Sequence, residues 1–320
     1  MRRTAFSLTC ALVLGIAGAA HAQSYPAKTV RLVVPFPAGG GTDALARTLA
    51  KSLGEITGQT FVADNRGGAG GNVGAEVVAQ SSADGHTLLL GTNTLAINAT
   101  LYRKLSFDPV NDFAPVALVA IAPNVLAVHP SLPVKNVKQL IALAKASPGK
   151  LTYASQGNGG TGHLAGELFR KMAGVEILHV PYKGAAPALV DLMAGNVQMA
   201  FVGVSTLAQA KSGRLRAIAV TTLKRSSAAP ELPTIAESGL PGYEATAWFG
   251  VLAPAQTPQA VVGRLHQLVS KALASPAVAG SLTSQGFEVA RGTPADFAAF
   301  VRAEVAKWGE VIRASGARVE

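Results

Sequence analysis

Short β-branched and aliphatic runs alternate along the chain with stretches in which apolar residues return every three or four positions. The runs predict strands over Thr29–Val34, Phe61–Ala63, Thr87–Gly91, Val116–Ile121, Asn124–Val128, Leu151–Ala154, Ile177–Val180, Val197–Val202 and Leu215–Thr221. Between most of them lie helical patterns. Leu45, Leu49 and Leu53 share one face, as do Leu164, Leu168 and Met172. Asn136 is placed to cap a helix that turns Val137, Leu140, Ile141 and Ala144 inward. Thr257 and Pro258 read as N-cap and first helical residue before Val261, Leu265, Leu268 and Val269. Thr293-Pro294-Ala295-Asp296 starts a last helix with Phe297, Val301, Val305, Trp308 and Ile312 at helical spacing, which makes Trp308 a core residue. Strand–helix alternation of this kind predicts largely parallel sheets covered by helices on both faces.

The first residues follow another pattern. Arg2 and Arg3 precede an apolar stretch, Ala11–Ala20, which is too short to span a bilayer well. Ala20-His21-Ala22 fits the small-x-small cleavage rule, so residues 1–22 are expected to be a signal peptide cut before Gln23. Removing 22 of the 320 residues leaves 298, enough for two α/β lobes with separate cores. Cys10, the one cysteine, falls in the removed segment, so the mature chain has no disulfide or thiol nucleophile. Ala122-Pro123-Asn124 interrupts two apolar runs, and Glu244–Pro254 is a long extended segment. If both cross between lobes, residues 23–122 plus 244–320 form one lobe and 123–243 the other.

Two glycine-rich loops each join a strand to a helix start. The first is Val34-Pro35-Phe36-Pro37-Ala38-Gly39-Gly40-Gly41-Thr42-Asp43, and the second Ala154-Ser155-Gln156-Gly157-Asn158-Gly159-Gly160-Thr161-Gly162-His163. Glycine lets backbone N–H groups approach a ligand, and a helix N-terminus carries partial positive charge. Each loop is an anion cradle, and two of them point to an anion held between lobes. His163, on the first turn after the second loop, is placed to donate to the ligand or to sit idle on the helix surface. Thr92 and Asn93, after a strand, offer neutral polar contacts. Gly67–Gly74 reads as a turn with close backbone packing, or as a further anion nest.

Other chemistries are poorly supplied. Gly157–Gly162 satisfies G-x-G-x-x-G, but the next strand ends at Ile177-Leu178-His179-Val180 with no acid for a ribose, which weakens an oxidoreductase reading. Neither a G-x-x-x-x-G-K-[ST] loop nor a G-x-S-x-G elbow occurs. The mature histidines, His86, His129, His163, His179 and His266, have no zinc-ligand spacing. No cofactor or metal is therefore expected, and no catalytic constellation is present. The net charge of +10 is dispersed and not interleaved with aromatics, which speaks against nucleic acid.

The motifs taken together resemble the substrate-binding proteins of tripartite tricarboxylate transporters, also called Bug receptors. They are V-P-F-P-A-G-G-G-T-D at 34–43, N-R-G-G-A-G-G-N-V-G-A at 65–75, A-D-G-H-T-L-L-L-G-T-N at 83–93 and A-S-Q-G-N-G-G-T-G-H-L at 154–164. H-V-P-Y-K-G-A-A-P-A-L at 179–189, L-P-T-I-A-E-S-G-L-P-G-Y-E at 232–244 and W-F-G-V-L-A-P-A-Q-T-P at 248–258 complete the set. The resemblance implies a two-lobed, hinge-bending fold of periplasmic-binding-protein type. It implies a monomeric, non-catalytic periplasmic receptor that delivers a small organic anion to membrane permease subunits. Carried over by motif, the ligand residues are Phe36, Pro37, Ala38, Gly39, Gly40, Gly41 and Thr42 in the first loop and Ser155, Gln156, Gly157, Gly159 and Thr161 in the second. Tyr182, Lys183 and Gly184 of the P-Y-K-G turn join them. Two positions depart from the family pattern: Gln198 stands where members often carry Asp, and Phe201–Ser205 lacks an acid. Both speak against an amino-acid ammonium. A sensor that signals to a membrane partner would look the same in sequence.

Overall fold

The structure, a computed structural model, describes residues 25–319, so the expected signal segment and its cleavage point lie outside the described residues. In chain order the elements are β1 (Val30–Val34), α1 (Gly41–Thr57), β2 (Phe61–Asn65), α2 (Asn72–Ala79), β3 (Thr87–Thr92), α3 (Asn93–Leu101), β4 (Phe113–Ala122), β5 (Asn124–Val128), α4 (Val137–Ala146), β6 (Leu151–Ser155) and α5 (Thr161–Ala173). They continue with β7 (Ile177–Pro181), α6 (Ala185–Ala194), β8 (Met199–Gly203), α7 (Leu207–Lys211), β9 (Arg216–Val220), β10 (Ala247–Pro254), α8 (Gln259–Ala274), α9 (Pro276–Ser284), β11 (Glu288–Val289) and α10 (Pro294–Ser315).

The strands form two sheets flanked by helices, ordered β11-β4-β10-β3-β1-β2 and β7-β6-β8-β5-β9. β1 runs parallel to β2 and β3, and β6 parallel to β7 and β8. Parallel strands joined by helices put their βα turns at one edge of the sheet. β10 is antiparallel to β3 and β4, and β5 antiparallel to β8 and β9. Each of these is the strand that brings the chain in from the other sheet, so it runs against its neighbours. The parallel expectation therefore holds for the strands that carry the loops, and the crossing strands make each sheet mixed.

The two crossings lie side by side. Asn124 N–H donates to Thr221 Oγ1 at 3.0 Å, Asn124 Nδ2 to Ala245 O at 3.4 Å, and Ala245 N–H to Thr221 O at 3.0 Å. One hydrophobic cluster packs α1, α8 and α9 on the first sheet, with Leu45, Leu49, Leu53, Leu265 and Leu268 buried as their spacing predicts. A second runs from α3 and α10 through Tyr243 and Trp248 to α4 and α5, so apolar packing is continuous behind the crossings. Inside it the carboxylate of Glu304 accepts from Trp248 Nε1 at 3.1 Å and Trp308 Nε1 at 2.8 Å and pairs with Lys307.

The caps at Asn136 and Thr293 form as expected, the latter as a full capping box with Asp296. Two details differ. Pro258, not Thr257, occupies the N-cap of α8, because Thr257 N–H closes a turn onto Pro254 O and its hydroxyl is buried without a partner among the described residues. Met172 is exposed, since Ala173 takes the inward place in the last turn of α5.

Candidate functional site

Both glycine loops lie at the carboxyl ends of parallel strands, where the backbone leaves the sheet and a helix begins. α1 starts behind Gly40 (φ −87°, ψ 171°) and α5 behind Gly160 (φ −70°, ψ 162°). Neither N-cap has a side chain to bond the first-turn N–H groups, whereas α3, α4 and α10 are capped by Thr92, Asn136 and Thr293. Pro37–Gly41 is exposed, and a Cβ on Gly39 or Gly40 would meet nothing within 4 Å. The first loop thus presents unpaired backbone donors to open space.

The two loops share an internal brace. Gly39 adopts φ +90° and Gly159 φ +73°, conformations in which glycine carries no Cβ penalty. Four residues on, a side chain reaches back to each amide. Gly39 N–H donates to Asp43 Oδ2 at 2.9 Å, and Gly159 N–H donates to His163 Nδ1 at 3.0 Å. Asp43 also accepts from Arg47 Nε at 3.0 Å, and the Arg47 guanidinium with the Gly39 amide holds its carboxyl down to about 2. Both bonds fall on Oδ2, which ties Asp43 to the loop and the helix start, while Oδ1 is buried with no hydrogen-bond partner among the described residues.

The second loop rests on an aromatic stack. The His163 and His179 rings lie 3.9 Å apart at 14°, and Tyr153 stacks on His179 at 4.9 Å. Ser155 Oγ is 2.6 Å from His179 Nε2, and Tyr153 Oη donates to Glu167 Oε1 at 2.7 Å. Burial lowers the His163 pKa, and burial together with the neighbouring His163 takes His179 down to about 4. The Ser155–His179 contact lacks the features of a nucleophile and its base. His179 is held neutral well below the pH at which a base works, and no carboxylate orients its other nitrogen among the described residues.

β6 and β7 pair in parallel, which brings the P-Y-K-G turn against the second loop: Tyr182 N–H donates to Ser155 O at 3.0 Å and Gly184 N–H to Gln156 O at 3.1 Å. Tyr182 Oη is spent on Asp191 at 2.6 Å, and burial with that carboxylate pushes the phenol up to about 12. Lys183 is exposed. Gln156 folds beneath its own loop and donates to Thr161 Oγ1 at 2.9 Å. On the first sheet, β3 beside β1 places Thr92 and Asn93 at the same edge as the first loop. Thr92 caps α3, while Asn93 Nδ2 is buried with no hydrogen-bond partner among the described residues. Phe36 O accepts from Asn65 Nδ2 at 3.1 Å. The second loop also reaches the first sheet's helices, since a Cβ on Gly159 would fall 2.5 Å from Leu101 Cδ2 of α3.

Sequence reasoning passed over the two braces, Gly39–Asp43 and Gly159–His163. The signal was there as the G-x-x-x-D and G-x-x-x-H spacing, which puts a δ-position acceptor one helical turn after the glycine. Gly67–Gly74 packs as a close turn: a Cβ on Gly74 would lie 2.9 Å from Pro35 Cα, and one on Gly67 3.1 Å from Pro37 Cδ. Gln198 is remote from the loops, because its Oε1 accepts from Thr152 N–H and Oγ1 at 2.8 Å, at the opening end of β6.

The family model described as "Tripartite tricarboxylate transporter family receptor" matches residues 45–317. The chain belongs to this family. Its relatives are solute-binding receptors, not enzymes. Protein BugT of Bordetella pertussis is 38% identical over 309 residues, which covers 96% of this chain and 95% of BugT. Among solved structures, R. palustris Rpa4515 with adipate is 44% identical at a TM-score of 0.74, covering 91% of this chain and 98% of its own. A ligand-free TctC solute-binding protein from Polaromonas is 27% identical at a TM-score of 0.82, covering 91% and 99%. In this receptor no helix of the described residues is long and apolar enough to cross a membrane.

Proposed function

We propose that the chain is exported to the periplasm, captures a small organic carboxylate between two lobes, and delivers it to the permease of a tripartite tricarboxylate-type transporter. The lobes are residues 23–122 with 244–320, and residues 123–243, and the hinge is the stitched pair of crossings at Asn124, Thr221 and Ala245. Four helices, α1, α2, α5 and α6, start behind a glycine without a side-chain cap, and the observation that carries this reading is that two of them, α1 and α5, rise from the two glycine loops, one on each sheet. Each offers first-turn N–H groups and a positive dipole end to a carboxylate without a dedicated arginine. Asn93 Nδ2 adds a buried donor beside the first loop.

The comparisons support lobe motion. Superposition of rigid folds improves with identity, yet the ligand-free relative fits better at 27% identity than the adipate-bound one does at 44%. A difference in lobe angle between the ligand-free and the adipate-bound relative would account for that ordering. The sites bear on ligand class as well. Asp43, the acid nearest the first loop, is buried and already paired through Oδ2 with Gly39 and the Arg47 cation, and the stretch after β8 has no acid to receive an ammonium. We infer an organic acid without a free α-amino group, in line with the adipate in the relative's structure.

A thermal-shift screen of matched pairs, adipate against 2-aminoadipate and succinate against aspartate, checks this. A ligand at about 100 times its Kd adds roughly 2.7 kcal/mol, worth about 5 °C or more in a chain of this size. The unaminated member of a pair should raise the melting temperature. Stabilisation by the amino-bearing members alone would overturn the ligand class.

A further inference from the structure

The two loops are braced alike but by different chemistry, and that difference separates their behaviour toward protons. In both, the amide of a glycine at positive φ donates to a δ-position acceptor four residues later: Asp43 Oδ2 in the first loop, His163 Nδ1 in the second. A carboxylate keeps its lone pairs down to low pH, and Arg47 keeps this one ionised. An imidazole accepts at Nδ1 only while that nitrogen is unprotonated. From this geometry we propose that His163 is a positioning residue of the receptor, not a ligand donor, and that its protonation releases the second loop and weakens anion capture while the first loop is unaffected. The proposal rests on reading the second loop as an anion cradle.

The surroundings of His163 fix the direction. The ring is buried, with Nδ1 facing the Gly159 amide at 3.0 Å. A proton on Nδ1 would set N–H against N–H, so the contact would turn from attractive to repulsive and the loop would move. On one face His179 stacks at 3.9 Å from β7, where a cation would be close to a second titratable ring. From β6, Tyr153 Oη lies against the His163 backbone carbonyl at 3.3 Å and holds Glu167. Glu167, one turn along α5, is the one carboxylate that favours the charged ring, and its other oxygen is bound by Arg170 at 3.0 Å. Burial outweighs it and lowers the pKa of His163. An imidazolium beneath the loop would attract an anion at longer range, but the contact it destroys is the one that shapes the donors.

The sign follows from linkage. The braced, binding-competent loop requires neutral His163, so affinity is complete above the ordinary imidazole value of 6.5 and falls as pH drops through the lowered one. Below that midpoint the loss approaches tenfold per pH unit for one proton taken up on release.

Amide and imidazole NMR of the ligand-free protein between pH 8 and 4 tests the brace without any ligand. The Gly159 amide is expected to titrate with the His163 ring, at a midpoint below 6.5, while the Gly39 amide stays flat. His163→Asn puts Oδ1 at the same reach as Nδ1 and does not titrate, so in that variant the Gly159 amide should lose its pH dependence. With adipate as probe, wild-type affinity should fall in acid and the His163→Asn variant should hold it. A Gly159 amide that ignores the His163 titration, affinity that rises in acid, or an unchanged acid loss in His163→Asn would overturn the proposal. A protein that binds no adipate at any pH counts against the ligand assignment, and the amide titration then decides the brace by itself.

Discussion

Replacing Gly40 by valine is expected to abolish carboxylate binding, a loss of at least a hundredfold, in a protein that still melts within about 3 °C of wild type. Gly40 sits at φ −87° and ψ 171°, in the extended region that valine favours, and a Cβ there meets nothing within 4 Å. The fold has room for the side chain, and glycine-to-valine at an N-cap costs about 1 kcal/mol. The isopropyl group would stand in open space at the N-cap of α1, where the proposed carboxylate has to approach. Gly159→Val makes the contrast. Gly159 has φ +73°, and its Cβ would fall 2.5 Å from Leu101 Cδ2, so this variant should lose binding and stability together. Calorimetry with adipate and thermal melting of both variants separate the effects. Unchanged affinity in Gly40→Val would remove the first loop from the site.

Glu304→Ala is expected to lower stability by about 3–5 kcal/mol, the cost of breaking a buried charge pair and stranding its partners. Glu304 is buried and serves three donors: Trp248 Nε1 at 3.1 Å, Trp308 Nε1 at 2.8 Å and the ammonium of Lys307. Removing the carboxylate leaves two buried indole N–H groups without acceptors. In a chain of this length the melting temperature should fall by roughly 10 °C. Trp248 and Trp308 are the only tryptophans, so their emission should shift as well. Glu304→Gln keeps an acceptor and should recover part of the loss. A melting temperature within about 2 °C of wild type in Glu304→Ala would show that the network is not a stability element.

The sequence made the loops legible because their signals are local. Glycine runs, the strand before each and the helix register after it lie within about ten residues, and Leu45, Leu49, Leu53 and Leu164 all face inward as their spacing predicts. The antiparallel entry of β5 and β10 was not legible, since it depends on which sheet each strand joins after a crossing. The roles of His163 and His179 were hidden for a similar reason. Their stack requires β6 and β7 to be neighbours in register, with Tyr153 opposite His179, a tertiary fact with no one-dimensional pattern. Nothing in the sequence marks Glu304 as a network centre, since its two indole partners come from α10 itself and from a strand 56 residues away.

Native mass spectrometry of receptor freshly isolated from the cell envelope tests the central claim most directly. Capture of an organic anion between the lobes predicts a mass increment that is lost on denaturation, that analyses as a carboxylic acid without an amino group, and that is missing from the Gly40→Val protein. A retained nucleotide or amine, or an increment that persists in Gly40→Val, would contradict it.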